Sequence, residues 1–212
     1  LGYYIAYEQG KTTPGGFLPD IPIKINNYVP KNWDNKFMGA NGTTARDMLR
    51  LSRNIPALLA VTSIGYDTYI DRARDFGYTS YGSLYNYGPS IILGGGDVYP
   101  LEHAQGYGVF ANQGDLVPLN PIMKIVDSED NTVYERQIER KRVADPGASF
   151  LLNESLLDLD TGIGESISWD GRQVAGKTGT TENNIESWLV MYSPEFVTVG
   201  WAGNNNNQNL NQ

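Results

Sequence analysis

The last third of the chain contains three apolar or β-branched runs that are separated by short polar turns. The runs read QVAGKTGT, SWLVMYSP and FVTVGWAG. β-Branched and aromatic residues at this density favour extended backbone, and short turns join strands that lie next to each other. The pattern predicts a β-meander, so an antiparallel sheet forms part of the fold.

The residues before this sheet have a mostly helical pattern. The stretch TTARDMLRLS, which starts at Thr43, has a threonine cap, and a second helix is predicted from Pro56 to Gly65 because proline suits a first helical turn. Ser52-Arg53-Asn54 then lies at the corner between two helices. Other predicted elements are a short strand over Ile21, Ile23 and Ile25, helices over Asp67–Gly77, Pro100–Gly114 and Asp145–Leu159, and a hairpin over Ile122–Arg136. The predicted class is α+β, with a helical middle and an antiparallel sheet.

Composition restricts the classes of protein to which the chain can belong. Its 212 residues suffice for one substantial core, and its net charge of −8 argues against a nucleic-acid partner. No window approaches the ~18 to 20 apolar residues of a spanning helix, so we expect no membrane contact by this segment itself. Cysteine is absent, and the single histidine, His103, is more typical of a packing residue than of a base or ligand. We expect neither a metal nor a cofactor.

Lys177 belongs to two overlapping motifs that indicate unrelated chemistry. Residues 171–178, GRQVAGKT, match the phosphate loop, whereas residues 177–180 read KTGT. A phosphate loop requires a buried strand before its glycines and a helix directly after them. Here SISWD ends in an acid beside the first glycine, and TGTTENN is weak helix-forming material. The flanking residues therefore disfavour a nucleotide site.

The KTGT motif fits a strand at the edge of a sheet. On such a strand Lys177 and Gly179 share one face, while Thr178 and Thr180 share the other. The glycine leaves room for a close neighbour or a substrate. Two hydroxyls and an ammonium could receive a terminal carboxylate from a peptide that pairs with the edge. From this motif alone, an ordinary edge strand with a solvated lysine remains an open alternative.

Ser52 and Asn54 supply a second set of polar groups. The hydroxyl can relay a proton, and the amide can hold a peptide group of a substrate. An S-x-N tripeptide is common and also suits a helix cap. Here it precedes KTGT by about 120 residues, which is the order found in serine enzymes that act on penicillins.

As a whole, the sequence resembles the transpeptidase domain of class A penicillin-binding proteins. The resemblance is carried by KNWDNKFMG, SRNIPAL, ILGGGDVYPLEHAQGYGVFANQG, KIVDSEDNTVYE, AGKTGTTENNIESWLVMYSP and FVTVGWAGN. It implies the penicillin-binding transpeptidase fold, related to that of β-lactamases, over residues 1–203. Residues 204–212 are expected to form a separate Asn/Gln-rich tail.

The resemblance also implies an activity. It indicates a D,D-transpeptidase that cross-links peptidoglycan stem peptides ending in D-Ala-D-Ala through a serine acyl-enzyme, which β-lactam antibiotics would trap. Ser52 would relay a proton, Asn54 would hold the substrate amide, and Lys177 would supply charge and assist the relay. The remaining substrate-binding positions would be Thr178, Gly179 and Thr180. The backbone N–H of Thr180 would contribute to the oxyanion hole.

The family's nucleophile motif, S-x-x-K, does not occur in a suitable position in this sequence. In the family this motif is soon followed by a stretch like LGYYIAYEQG, with which the chain starts at Leu1. We therefore expect a preceding fragment that carries S-x-x-K and further strands of the sheet, with a membrane anchor and a glycosyltransferase domain upstream. The resemblance places the protein at the outer face of the bacterial cytoplasmic membrane, and the chain alone would be inactive. Glu186, where many relatives have aspartate, has no assigned role.

Two alternatives to a transpeptidase stay open at this point. A non-catalytic relative could use the same fold as a peptide-binding scaffold, although it would have no physical need for both S-x-N and KTGT. A β-lactamase, a D,D-carboxypeptidase or a β-lactam sensor would share the motifs. Only the resemblance of the long glycine-rich block before residue 100 favours a transpeptidase over these related proteins.

Overall fold

The computed structural model describes residues 1–81, 87–157, 168–169, 172–181 and 184–210. Within these ranges the helices are α1 Gly2–Glu8, α2 Ala45–Arg50, α3 Asn54–Ile64, α4 Tyr66–Asp75, a 3-10 helix Gly88–Leu93, α5 Pro100–Ala111 and α6 Pro146–Leu156. The strands are β1 Phe17–Asp20, β2 Gly39–Thr44, β3 Asp115–Leu116, β4 Lys124–Val126, β5 Thr132–Glu135, β6 Lys141–Arg142, β7 Ser168–Trp169, β8 Arg172–Gln173, β9 Ala175–Thr180, β10 Glu186–Tyr192 and β11 Val197–Gly203. None of the helices in these ranges has the length and apolar character needed to cross a membrane.

Helix α1 lies at the centre of the core. All five residues from Tyr3 to Tyr7 are buried, and the helix packs against α3 and α6. The rings of Tyr4, Phe76 and Phe110 contact one another with centroid separations of 5.2 to 5.5 Å. Because α1 is apolar around its whole circumference, neighbouring helices can cover it on several sides.

The C-terminal third forms the predicted antiparallel meander. The strand order is β11-β10-β9, and the register pairs Lys177 with Val190 and Trp188 with Trp201. Helices α5 and α6 pack against this sheet, α5 on β10 and β11 and α6 on β9. Among the described strands β9 pairs only with β10, so its outer edge carries no strand partner there.

The strand predicted over Ile21, Ile23 and Ile25 is wrong. The strand in this region is β1, which ends at Asp20 and pairs with β2. Beyond it Pro22 has no N–H to donate, and Asn26 has a φ of 54°, which closes a turn in which Ile25 bridges Tyr28. The alternation of three isoleucines therefore does not produce a sheet ladder.

The predicted helices are confirmed, with shifted ends. The Thr44 hydroxyl accepts a bond from Asp47 N at 3.2 Å and caps α2. Helix α3 begins at Asn54, two residues before Pro56, because a proline in the first turn lacks only an N–H that has no partner within the helix. Helix α4 is preceded by Gly65, with Asp67 in its first turn and not at its cap.

Helices α5 and α6 and the hairpin of β4 and β5 lie where they were predicted. Asp145 caps α6 by accepting from Ala148 N at 2.7 Å, while the predicted end of that helix at Leu159 lies outside the described residues. After β11, Leu210 N donates to Asn184 O at 2.9 Å. A tail over residues 204–212 that is separate from the domain stays a prediction.

Candidate active site

Lys177 and Ser52, 125 residues apart in sequence, meet at the outer edge of β9. The Lys177 Nζ donates to the Ser52 Oγ, and it donates to the Thr178 carbonyl oxygen at 3.0 Å. Lys177 lies within a strand that continues to Thr180, and no helix follows it directly as a phosphate loop would require. The fold therefore joins this lysine to the S-x-N corner.

The protein environment weakens the proton affinity of Lys177. Burial lowers the pKa of its ammonium from 10.5 to about 8, because the charged form loses hydration. Its two hydrogen-bond acceptors, a hydroxyl and a carbonyl, are uncharged. A lysine whose pKa lies near neutrality can supply positive charge and can also take part in proton transfer.

The main chain of β9 presents hydrogen-bonding groups at its open edge. Thr181 N donates to Glu186 O at 3.1 Å, towards β10. Backbone groups alternate in direction along an antiparallel strand, so those of Thr180 and Thr178 face away from β10. The Thr178 carbonyl that accepts from Lys177 agrees with this direction. The Thr180 N–H therefore faces the same edge as the Lys177 ammonium.

Gly179 and Trp188 form the surface next to Lys177 on the same face of the sheet. A Cβ at Gly179 would lie 3.6 Å from the Trp188 Cβ, which is an ordinary contact distance. Packing within the described chain therefore does not require glycine at this position, which leaves close approach by a ligand as one use for it. The hydroxyls of Thr178 and Thr180 belong to the opposite pleat of β9.

His103 lies behind Trp188 and packs among aromatic rings. Its ring contacts those of Trp188 and Tyr107 at 5.5 and 5.1 Å, and its Nδ1 lies 3.0 Å from the Tyr78 hydroxyl. Burial lowers the pKa of His103 from 6.5 to about 4. The imidazole is therefore neutral at pH 7, as expected of a packing residue.

Ser52 and Asn54 lie on either side of the corner between α2 and α3. Ser52 has a φ of 53°, a left-handed conformation that non-glycine residues seldom adopt. Asn54 is the first residue of α3, and its side-chain amide donates to the Lys31 carbonyl at 2.8 Å. Hydrogen bonds thus join Ser52, Lys177 and the Thr178 carbonyl directly, whereas the Asn54 amide is turned towards the 31–36 segment.

The residues that support this corner were not predicted from the sequence. Arg53, the variable position of S-x-N, is buried and paired with Asp20 and Asp34. Asn32 is buried beside them. The one available signal was the polar KNWDN stretch, but nothing local indicates that its side chains bond to residues about 20 positions later.

Glu186, the first residue of β10, bonds to Thr181, the residue that follows β9. Its N–H donates to the Thr181 hydroxyl at 2.8 Å, and its carboxylate accepts from the Trp188 indole N–H at 3.3 Å. These contacts give Glu186 a local structural role at the end of the KTGT strand.

Comparison with known proteins identifies the family of this chain. Residues 2–210 match the family described as penicillin binding protein transpeptidase domain. The chain is 31% identical to penicillin-binding protein 1A of Neisseria lactamica over 95% of its length, and 30% identical to penicillin-binding protein 1A/1B of Bacillus subtilis over 98%. It spans 26% and 24% of those proteins respectively.

Solved structures share the fold at lower sequence identity. PonA1 of Mycobacterium tuberculosis superposes with a TM-score of 0.86 at 18% identity, covering 96% of this chain and 58% of that one. Penicillin-binding protein 1A of Haemophilus influenzae gives 0.82 at 23% identity, covering 97% and 37%. With its family match over nearly the whole sequence, the chain belongs to the penicillin-binding protein transpeptidase family.

Proposed function

We propose that this chain is the C-terminal part of the transpeptidase domain of a D,D-transpeptidase that cross-links peptidoglycan stem peptides ending in D-Ala-D-Ala. The observation that carries the proposal is the hydrogen bond from Lys177 Nζ to Ser52 Oγ at the edge of β9. This bond joins the Ser52 hydroxyl to an ammonium of lowered pKa next to an edge that can pair with an extended peptide, which supports a proton relay between the two groups.

In the proposed reaction a serine hydroxyl attacks the carbonyl of the penultimate D-Ala. The serine proton passes through Ser52 and Lys177 to the departing D-Ala nitrogen, and the C–N bond breaks to leave an acyl-enzyme ester. An amine of a second stem peptide then attacks the ester and returns the proton to the serine. Two backbone N–H groups, one from Thr180, would bind the oxyanion, and removal of one such donor typically costs about 10²–10³ in rate.

The other predicted residues bind the substrate in this proposal. The Asn54 amide holds a substrate peptide group after exchanging its bond to the Lys31 carbonyl. The Lys177 ammonium reaches the edge of β9 at the Thr178 carbonyl, so a terminal carboxylate bound along this edge accepts from the ammonium on one side and from the Thr178 and Thr180 hydroxyls on the other. Gly179 allows the peptide to approach the strand closely.

The attacking serine comes from a segment outside these 212 residues, because no S-x-x-K occurs among them. Since peptidoglycan lies outside the cell membrane, the site works at the outer face of the bacterial cytoplasmic membrane. β-Lactams acylate the same serine. PonA1 has been solved in complex with penicillin V, which supports the antibiotic as a ligand of this fold.

The proposal is tested by labelling the full-length protein with a fluorescent penicillin. We expect Ser52→Ala and Lys177→Ala each to slow labelling by at least about tenfold, since proton transfer contributes roughly 10²–10⁴ in rate. Mapping the label should place it on a peptide outside the 212 residues. Lys11→Ala, which removes an exposed lysine, serves as the matched control.

Full-rate labelling of both site variants would remove their proposed roles. The absence of covalent label from the unmodified full-length protein would instead favour a non-catalytic scaffold. In a separate assay of the full-length protein with stem peptides ending in D-Ala-D-Ala, release of free D-Ala without formation of cross-links would assign the site to a carboxypeptidase.

A further inference from the structure

Arg53, between Ser52 and Asn54, is the centre of a buried charged cluster. Its side chain is 6% exposed, and its Nη2 and Nε both lie 2.9 Å from Asp20 Oδ2, which is fully buried. Its Nη1 lies 2.9 Å from Asp34 Oδ2, and Nη2 also donates to the Lys36 carbonyl. A planar guanidinium can satisfy two carboxylates and a carbonyl at once, whereas a lysine ammonium cannot reproduce that fork.

Asn32 connects this cluster to the first turn of α3. Its amide donates to Asp20 Oδ1 at 2.6 Å and to the Lys36 carbonyl at 2.8 Å. Its carbonyl oxygen accepts from Asn54 N at 2.9 Å and from Ile55 N at 3.2 Å. Asn32 therefore caps α3 from a distant part of the chain, at an end where the side chain of the local cap residue, Arg53, makes no hydrogen bond to the helix N–H groups.

The same segment also contacts the residue before Ser52. The indole N–H of Trp33 donates to the Leu51 carbonyl at 3.3 Å. Bonds from segment 31–36 thus reach the backbone or side chain of Leu51, Arg53, Asn54 and Ile55. Ser52, in its left-handed conformation, lies between these fixed points and directs its hydroxyl at Lys177.

We propose that Arg53, Asn32, Asp20 and Asp34 form a positioning network that holds the Ser52 Oγ against the Lys177 Nζ and so sets the rate of serine acylation. This inference rests on the proposed function. None of the four residues touches the reacting atoms. They act through the backbone of Ser52, whose left-handed conformation persists only where the surroundings hold it. A displacement of about 1 Å in such a site can cost about 10²-fold in rate.

The central experiment measures acylation of the full-length protein by a fluorescent penicillin at several concentrations, which separates the limiting rate from the half-saturating concentration. For Arg53→Lys we expect the limiting rate to fall at least about tenfold, with the half-saturating concentration changed less than about threefold. The matched control is Arg74→Lys in α4, whose exposed arginine pairs with Asp71 at 3.0 Å. That variant should change neither quantity by more than about twofold.

Asp34→Asn protects the test against loss of folding. The Asp34 side chain is 22% exposed, so we expect this variant to keep the fold while it weakens the hydrogen bond from Arg53 Nη1 to residue 34. We expect a loss of about threefold in the limiting rate, consistent with one partly exposed charged hydrogen bond. An unchanged rate in both Arg53→Lys and Asp34→Asn would overturn the network.

A double variant distinguishes positioning from general destabilisation. If the network acts through Ser52, adding Arg53→Lys to Ser52→Ala should cause no further loss, because the group to be positioned is already absent. A loss equal to the product of the two single effects would overturn the positioning role. Full-rate acylation by Ser52→Ala alone would refute the proposed role of Ser52, whereas a slow Ser52→Ala with a fast Arg53→Lys would refute only the network.

Discussion

Lys177 carries a positive charge in a buried environment that disfavours the charged form. The ammonium is withdrawn from water, and the partners that it contacts are the Ser52 hydroxyl and the Thr178 carbonyl, neither of which carries a charge. A lysine at this position therefore reduces the stability of the fold while lowering its own pKa to about 8. Proteins keep such a group where its chemistry is used, so stability and reactivity are linked at this one residue.

The lowered pKa of Lys177 predicts that the stability of the fold depends on pH. Below pH 8 Lys177 is charged in both the folded and unfolded states, and the fold carries the full cost of burying it. Between pH 8 and 10.5 the unfolded chain binds a proton that the folded chain does not, so the free energy of unfolding rises with pH. Across this window, the free energy of unfolding of the parent chain should increase relative to that of Lys177→Met, as measured by urea unfolding. A constant difference between pH 7 and pH 10.5 would contradict the lowered pKa.

In helix α5, tertiary packing gives two glycines different structural roles. The sequence marks Gly106 and Gly108 alike as weak points of this helix. In the structure Gly106 faces the buried ring of Tyr78, so an added Cβ would lie 2.5 to 2.7 Å from that ring, whereas at Gly108 it would meet only Val197 at 4.0 Å. Tyr78 stacks on Tyr81 and bonds His103, so its ring has little freedom to move aside.

The two glycines therefore form a matched pair. Gly108→Ala should raise the free energy of unfolding by about 0.5 to 1 kcal/mol, because alanine restricts the unfolded chain and favours helix. Gly106→Ala makes the same change in propensity but should destabilise by about 1 to 3 kcal/mol through overpacking. Thermal or urea unfolding measures both. Equal shifts of the same sign would show that Tyr78 does not restrict α5.

At the scale of the molecule, the fold is organised around the buried helix α1. The Tyr4 hydroxyl donates to the Glu8 carboxylate and accepts from Arg72 Nη2 at 3.1 Å and from Asp145 N at 2.9 Å. One phenol thus joins α1, α4 and the start of α6, elements that are up to 141 residues apart in sequence. Because α6 packs on β9, this junction also supports the sheet that carries Lys177.

Tyr4→Phe removes this junction and keeps the ring. We expect a loss of about 1 to 3 kcal/mol in the free energy of unfolding, because three hydrogen bonds to a buried hydroxyl, each part-buried, are lost together. The unfolding transition should remain single, since the elements share one core. Tyr134→Phe is the control, as its half-exposed hydroxyl accepts one bond from Asn120 at 3.1 Å. Equal losses in both variants would contradict a special role for Tyr4.

Local chemistry made much of the fold predictable. The Thr44 and Asp145 caps, the prolines at the starts of α5 and α6, and the β-branched runs of β9 to β11 each act within a few residues of their own position. The KTGT strand was predicted for the same reason, because strand propensity and alternation are local properties. The glycine-rich strand β2 was missed, since its pairing with β1 depends on a partner about 20 residues away and not on its own composition.

The sequence by itself determined the class of fold, the family and the two motifs. Helix caps and hydrophobic periodicity depend on neighbouring residues, and the motifs are recognised from residue identity and order along the chain. Tertiary structure alone decided that Lys177 meets Ser52 and that the amine is drawn out of water. It alone revealed that Arg53, between two predicted site residues, is bound by carboxylates 19 and 33 positions away. The reason is physical: burial, pKa and long-range pairing depend on which segments the core brings together, and that is a property of the packed chain as a whole.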